Sequence, residues 1–257
     1  MEHLRYEQRG RVGWLTLHRP ERLNAFTHAM WAEMRALGAR LVAEREVGAL
    51  VVIGAGRSFS SGVDLAVLSE ATAMERSPAE VALETQEAYT WLEEAPFPTV
   101  AAVRGACIGG GLELALACDL RVVARGARLA LPEVRMGFVP DMGGCIRLPR
   151  VVGAAAAKDL IWTGRELGAE EAGRLGLADR VVDDGDLERV AGALADELAG
   201  LPPLAVGQAK HLVDGSFTGT VRDGLRATAA ALEACLRSAD CAEAVQARAR
   251  DLGVAPG

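Results

Sequence analysis

The sequence reads as an α/β protein. Three observations set this expectation. Short apolar runs alternate with helical stretches over roughly the first 150–180 residues, glycine-bearing turns follow two of those runs, and the remainder is almost wholly helical. Residues 12–19 (VGWLTLHR) alternate apolar and polar side chains and read as a strand broken by Pro20. A helix is expected over about 27–45, with Met30, Met34, Leu37 and Leu41 at helical spacing. Residues 48–56 (GALVVIGAG) form a short apolar run closed by glycines, the pattern of a buried strand, and lead into the loop GRSFSSGVD. Ser77, Pro78 and Glu80 read as a capping box with proline at the first helical position, and Pro96 and Pro98 end that helix. TVAAVRGACIGGG is a strand, a turn and then glycines, while LRVVAR and ARLALPE look like two further strands. After Pro149 the pattern is helical through the long run 221–250, and residues 251–257 are expected to fray.

Bulk composition narrows the function. The chain has 257 residues, half of them apolar and a quarter charged, ordinary for one large globular domain. A net charge of -7 disfavours nucleic acid as the main partner but leaves room for an anionic small ligand at a local basic spot or helix N-terminus. The five cysteines (Cys107, Cys118, Cys145, Cys235 and Cys241) include no CxxC pair and suggest neither a metal site nor a disulfide framework. The first ten residues lack the apolar core of a secretory signal, and no run approaches the ~20 apolar residues of a membrane span. The expectation is a cytoplasmic protein without a resident metal.

The chemistry concentrates in GACIGGGLELALACDL, residues 105–120. Glu113 lies in the first turn of an otherwise apolar, buried helix, directly behind three glycines. It can be read as an acid satisfied by the helix dipole, or as a reactive group beside backbone N–H groups that the glycines leave open to a ligand oxygen. A second turn, SFSSGVDL at 58–65, follows its own strand in the same way. Two such turns side by side can aim two N–H groups at one point, the geometry of an oxyanion hole. Other motifs fail. Residues 54–59 do not complete a dinucleotide fingerprint, 153–159 lack the second glycine of a phosphate loop, and Ser58 has no nucleophile elbow. In LALPEVRMGFVPDMGG, Glu133 follows Pro132 at the end of an apparent strand, and Asp141 is either a helix N-cap or a catalytic acid. Paired carboxyls near one polarised group are an acid–base set.

The segments RPERLNAF, GRSFSSGVDL, AAVRGACIGGGLELALACDLR and LALPEVRMGFVPDMGGCIRLPRVVG together resemble the crotonase superfamily, the enoyl-CoA hydratase/isomerase group, in order and spacing over about residues 5–250. The resemblance implies a spiral of ββα turns followed by a helical C-terminal trimerisation region, with a core over residues 1–195 and the helical region over 196–257. It implies a coenzyme A thioester as substrate, no separate cofactor, and assembly as a homotrimer or a dimer of trimers. The oxyanion donors map to Val63 and Gly110. Arg22, Leu23, Ser61, Asp64 and Leu65 map around the coenzyme, and Gly109, Pro132 and Phe138 complete the expected substrate contacts. Glu113 and Glu133 fall where hydratases of the family carry two glutamates. Asp141 stands where hydratases often have glycine and dienoyl-CoA isomerases an aspartate, and Cys145 replaces the usual threonine. The resemblance thus implies an enoyl-CoA hydratase. The alternatives are an isomerase using Glu133 and Asp141 and, more remotely, an acyl-CoA binding protein without turnover.

Overall fold

The computed structural model describes residues 1–71 and 76–251. A six-stranded sheet runs in the order β1 (Leu4–Arg9), β2 (Val12–Leu17), β3 (Ala49–Gly54), β4 (Thr99–Val103), β6 (Leu120–Ala124), β9 (Arg180–Val182). Within it β1 and β2 pair antiparallel, while β2, β3, β4, β6 and β9 pair in parallel. A smaller sheet holds β5 (Ala106–Ile108), β7 (Arg128–Ala130) and β8 (Leu167–Gly168). Successive turns of the chain lay one strand in the large sheet and the next in the small one: β4 then β5, β6 then β7. Between β3 and its helix, Ser60 makes a parallel bridge to Cys107 and extends the same pattern. The result is a spiral, because each β corner steps the chain sideways before the helix returns it.

The strands β3 and β4 are buried on both faces, as their unbroken apolar composition requires. On one side lie α1 (His28–Glu44), α3 (Pro78–Glu94) and α4 (Gly110–Ala117), packed around Phe26, Met30, Trp31, Met34, Tyr89 and Leu112. On the other side α8 (Leu187–Ala199) lays Leu187, Ala191, Leu194 and Ala195 over Val51, Ile53, Val100 and Val122. α1 begins as its sequence requires: the Thr27 hydroxyl accepts from the Met30 N–H at 3.3 Å. Ser77 departs from expectation. It precedes α3 with Pro78 at the first helical position, but its side chain makes no cap bond, so the capping box does not form. Glu84 instead pairs with Arg76.

Beyond β7 the chain is not purely helical. β8 and β9 interrupt α5 (Gly144–Val152), α6 (Ala154–Thr163) and α7 (Ala169–Arg174). Strands of two and three residues carry no periodicity of their own; the sheet edges they join select them. α5 begins before Pro149 and runs through it, with Gly143, not Asp141, at its N-cap. The run 221–250 breaks into α10 (Val221–Leu236) and α11 (Ala239–Asp251) at Arg237 and Ser238. α9 (Pro203–Gly215) is tied to the core by Lys210, whose buried ammonium lies 2.9 Å from Asp119 and donates to the Leu92 and Phe97 carbonyls. The boundary expected at 195/196 falls inside α8, which packs on the sheet as one piece. The tail after Asp251 lies outside the described residues. None of the helices of the described residues is long and apolar enough to cross a membrane.

A buried knot aims the first glycine turn. Asn24 is fully buried at φ +56°. Its Oδ1 accepts from the Arg19 N–H, and its amide donates to the Ala55, Ser58 and Phe59 carbonyls at 2.8–3.1 Å. The Ser60 hydroxyl donates to the Asn24 carbonyl and accepts from the Gly62 N–H. One amide side chain thus satisfies backbone groups on both sides of the 58–62 loop. Asn24→Ala strands those carbonyls and is expected to cost about 2–3 kcal/mol of stability, read as a lower urea midpoint; an unchanged midpoint would contradict the role given to Asn24.

Candidate active site

Two glycine turns meet at the edge of the spiral. Residue 63 lies against Phe26 as a parallel bridge, in which the Phe26 N–H donates to Gly62 O and the Asp64 N–H to Phe26 O. That register turns the Val63 N–H to the opposite side. Gly110 opens α4, where the first N–H groups have no carbonyl one turn back. Among the described residues, neither the Val63 nor the Gly110 N–H has a hydrogen-bond partner. The turns interlock. A Cβ on Gly62 (φ +93°) would lie 2.8 Å from Ile108 O and 3.4 Å from Gly110 N, and one on Gly111 would lie 2.6 Å from Ser60 O. Only glycine admits this approach. The pair of N–H groups at the start of a helix is suited to an oxygen carrying negative charge.

Two acids stand beside them. Glu113 is 1% exposed, and its Oε1 accepts from the Met142 N–H at 2.9 Å and the Gly144 N–H at 2.8 Å. Burial pushes its carboxyl up to about 8, helped by the charges of Glu133 and Asp141, while the two N–H donors oppose the rise. Glu133 opens a short 3-10 helix, Glu133–Met136, and is 4% exposed. Burial raises it to about 7. Its Oε2 is buried without a partner, a free acceptor for an incoming proton or water. Gly109 (φ +54°) makes room for it: a Cβ there would lie 2.7 Å from Glu133 Oε1. Asp141 is exposed at the mouth, yet the protein packed around its carboxyl raises it as well.

The other expected residues fall into two groups. Arg22, Leu23, Ser61 and Asp64 come together: the Ser61 N–H donates to Leu23 O, the Ser61 hydroxyl to Arg22 O, and Asp64 pairs with Arg19 at 3.1 Å. Leu65 is 75% exposed at the start of α2 (Leu65–Ala71). Pro132 and Phe138 flank the Glu133 turn, and the Phe138 N–H faces Glu133 O at 3.4 Å. Residues 72–75, just after α2, lie outside the described residues. Sequence reasoning missed Arg19, Asn24 and Ser60, which shape the first turn, and the Met142 and Gly144 N–H groups, which hold Glu113. The adjacent glycines 143 and 144 were the available signal. A Cβ on Gly144 would lie 2.9 Å from Glu113 Oε1.

A spiral of ββα turns followed by a helical C-terminal part is the architecture of the crotonase superfamily. Residues 7–251 match the family model described as enoyl-CoA hydratase/isomerase. The chain is 32% identical over 242 residues to the short-chain-enoyl-CoA hydratase of Clostridium acetobutylicum, covering 94% of this chain and 92% of that one. It superposes on the enoyl-CoA hydratase from Bacillus anthracis with a TM-score of 0.90 at 30% identity, covering 99% and 98% of the two chains. A protein of Thermobifida fusca YX, crystallised in complex with acetoacetyl-CoA, matches at a TM-score of 0.84 and 34% identity over 91% and 94%. The chain belongs to the enoyl-CoA hydratase/isomerase family.

The raised acids have a cost that pH reveals. A carboxyl with an elevated folded pKa makes the native protein bind more protons than the unfolded chain, so stability is present below the ordinary Glu range and lost as pH rises through the folded value. Glu113 titrates at about 8 and Glu133 at about 7, which places that loss between roughly pH 4.5 and 8. Glu113→Gln keeps an oxygen for both N–H donors and carries no charge. Its Tm relative to wild type is expected to rise between about pH 5 and about pH 9. A difference in Tm that does not change with pH would contradict the elevated carboxyl.

Proposed function

We propose that the protein catalyses reversible syn addition of water to a trans-2-enoyl-CoA, giving the 3-hydroxyacyl-CoA. The observation that carries this reading is the placement of two buried, high-pKa glutamates beside two unpaired N–H groups. The Thermobifida fusca protein crystallised with acetoacetyl-CoA and the short-chain-enoyl-CoA hydratase support a thioester of this class.

In this reading the thioester oxygen sits against Val63 N and Gly110 N. As water attacks C3, electron density moves through C2 to that oxygen, and the two donors with the α4 dipole stabilise the enolate. One such donor is worth about 3–4 kcal/mol in the transition state. Glu113 and Glu133 hold the water between them. Glu113, when ionised, takes the water's proton, and Glu133, when protonated, delivers one to C2; with Glu113 at about 8 and Glu133 at about 7 this is the less populated of the two singly protonated forms of the pair, and the reaction draws on it. Burial so close together favours the singly protonated pair near neutral pH, the state in which one acid and one base coexist. Gly109, Pro132 and Phe138 line the acyl end, while Arg22, Leu23, Ser61, Asp64 and Leu65 face the coenzyme.

A second reading is favoured by one observation: a third carboxyl, Asp141, interacts electrostatically with both glutamates. An isomerase would remove a proton from the acyl chain with one of Glu133 and Asp141 and return it with the other. We also infer a homotrimer or a dimer of trimers. α10 leaves Val221, Leu225, Leu232 and Leu236 exposed along one helical stripe, apolar area that a second copy would cover. The chain through α8 then forms the site-bearing core and the helices after it the assembly region of one unit, a division a few residues beyond the expected 195/196.

Hydration of crotonyl-CoA, followed by loss of the conjugated thioester absorbance, tests the reading. Glu113→Gln and Glu133→Gln are each expected to lower kcat by about 10²–10⁴-fold with the fold intact; near-normal turnover in either would refute the water clamp. The rate of wild type is expected to follow a bell whose limbs belong to the pair and lie near their pKa values of about 7 and about 8. Asp141→Asn is expected to spare hydration. If it instead abolishes conversion of a 3-enoyl-CoA while crotonyl-CoA is not hydrated by wild type, the isomerase reading replaces this one.

A further inference from the structure

We propose that Arg147, backed by Glu93, is a positioning residue for Glu113: its guanidinium locks the Met142–Gly144 turn so that both N–H groups of that turn stay aimed at one carboxylate oxygen. The proposal rests on the reading of Glu113 as a proton carrier.

The turn works from two faces. Inward, the Met142 and Gly144 N–H groups meet on Glu113 Oε1. Outward, Arg147 Nη1 donates to Met142 O at 2.6 Å, and Arg147 Nη2 donates to Glu93 Oε2 at 2.5 Å. Gly143 lies at φ +104°, and a Cβ there would fall 2.0 Å from Arg147 Nη1. The guanidinium therefore occupies the space that a side chain at 143 would need. Arg147 is only 8% exposed, so its charge has given up most of its water for these two acceptors. From α3, Gln86 adds a second tie by donating to Asp141 O at 2.6 Å.

Of the turn's own side chains, Met142 alone is buried in the core. Two of its three residues are glycines, which contribute no side-chain packing, and behind it opens a cavity of about 300 Å³ lined by Gln86, Glu93, Asp141, Met142 and Arg147 among others. With Arg147 removed, the turn has empty space to relax into, and the aim of its two N–H groups is lost. The groups that face Glu113 electrostatically are Glu133 from the 3-10 helix, Asp141 from the turn, Tyr89 from α3 and Cys145 from α5. None of them supplies a compensating positive charge. The two N–H donors are what oppose burial in setting the ionisation of Glu113, so loosening them makes this carboxyl harder to ionise.

The test is a side-chain carboxyl titration by ¹³C NMR on the full-length, glutamate-labelled protein, with the Glu113 resonance assigned by its absence in Glu113→Gln, paired with kcat and KM on crotonyl-CoA. Arg147→Met is expected to raise the Glu113 midpoint by about half a pH unit or more. It is also expected to lower kcat roughly tenfold or more with KM little changed, the pattern of a misaimed group. Arg147→Lys, which keeps a donor for Met142 O, is expected to recover most of both, and Glu93→Gln to fall between. A folded Arg147→Met with the wild-type midpoint and kcat overturns the proposal, as does a loss confined to KM. Should Arg147→Met not fold, a wild-type Glu113 midpoint and kcat in Glu93→Gln overturn it. If wild type hydrates no enoyl-CoA, the hydratase reading fails, and the NMR midpoints alone then decide the role of Arg147.

Discussion

The structure depends on one close approach: the backbone of residues 60–62 against the backbone of residues 107–111. The Ser60–Cys107 bridge joins them, and the missing side chains at Gly62 and Gly111 let the two segments come within contact of carbonyl oxygens. Each strand of the large sheet delivers its turn to the same rim because β3 and β4 are parallel neighbours in register. The small sheet then steps the chain over, and α4 starts where the second turn ends. A side chain at either glycine would push the turns apart and separate the Val63 and Gly110 N–H groups. Preorganised donors are effective because they need not move when charge develops, so the rigidity of this contact is itself part of the proposed chemistry.

Around that contact the molecule accepts several electrostatic costs. Two carboxyls are buried at one rim with a third beside them, and their pKa values rise accordingly. Such an arrangement destabilises the fold at high pH but leaves one proton to be shared at neutral pH. The costs are offset by buried polar neighbours that bind backbone carbonyls or carboxylates. Asn24 closes the 58–62 loop, Lys210 holds α9 against Asp119, and Arg147 ties Glu93 to the turn that faces Glu113. Strain and charge at the rim are thus carried by a core and a ring of buried polar contacts that do not react.

Much of this was legible in the residues themselves. The fully apolar runs of β3 and β4, the helical spacing of α1 and the glycines before Glu113 each state a local physical requirement, and the fold obeys them. The resemblance of the four motifs placed Val63, Gly110, Glu113 and Glu133 near one another, which no periodicity could have done. What stayed hidden was set by distant partners. β8 and β9 are too short to show a period, and only the sheet edges beside β7 and β6 make them strands. Ser77 carries the letters of a capping box without its hydrogen bond. Asp141 could be read as an N-cap, yet Gly143 takes that position, and the backbone of 142 and 144 turns inward to Glu113. Backbone donors leave no mark in a sequence beyond the glycines that permit them.

The central claim is that the N–H groups of Val63 and Gly110 together hold one acyl oxygen. A crystal structure of the protein with acetoacetyl-CoA measures this directly. The account predicts the thioester oxygen at about 2.7–3.1 Å from both nitrogens, with the acyl carbons lying beside Glu113 and Glu133. A thioester oxygen bound elsewhere, or held by only one of the two nitrogens with the other facing solvent, would contradict it.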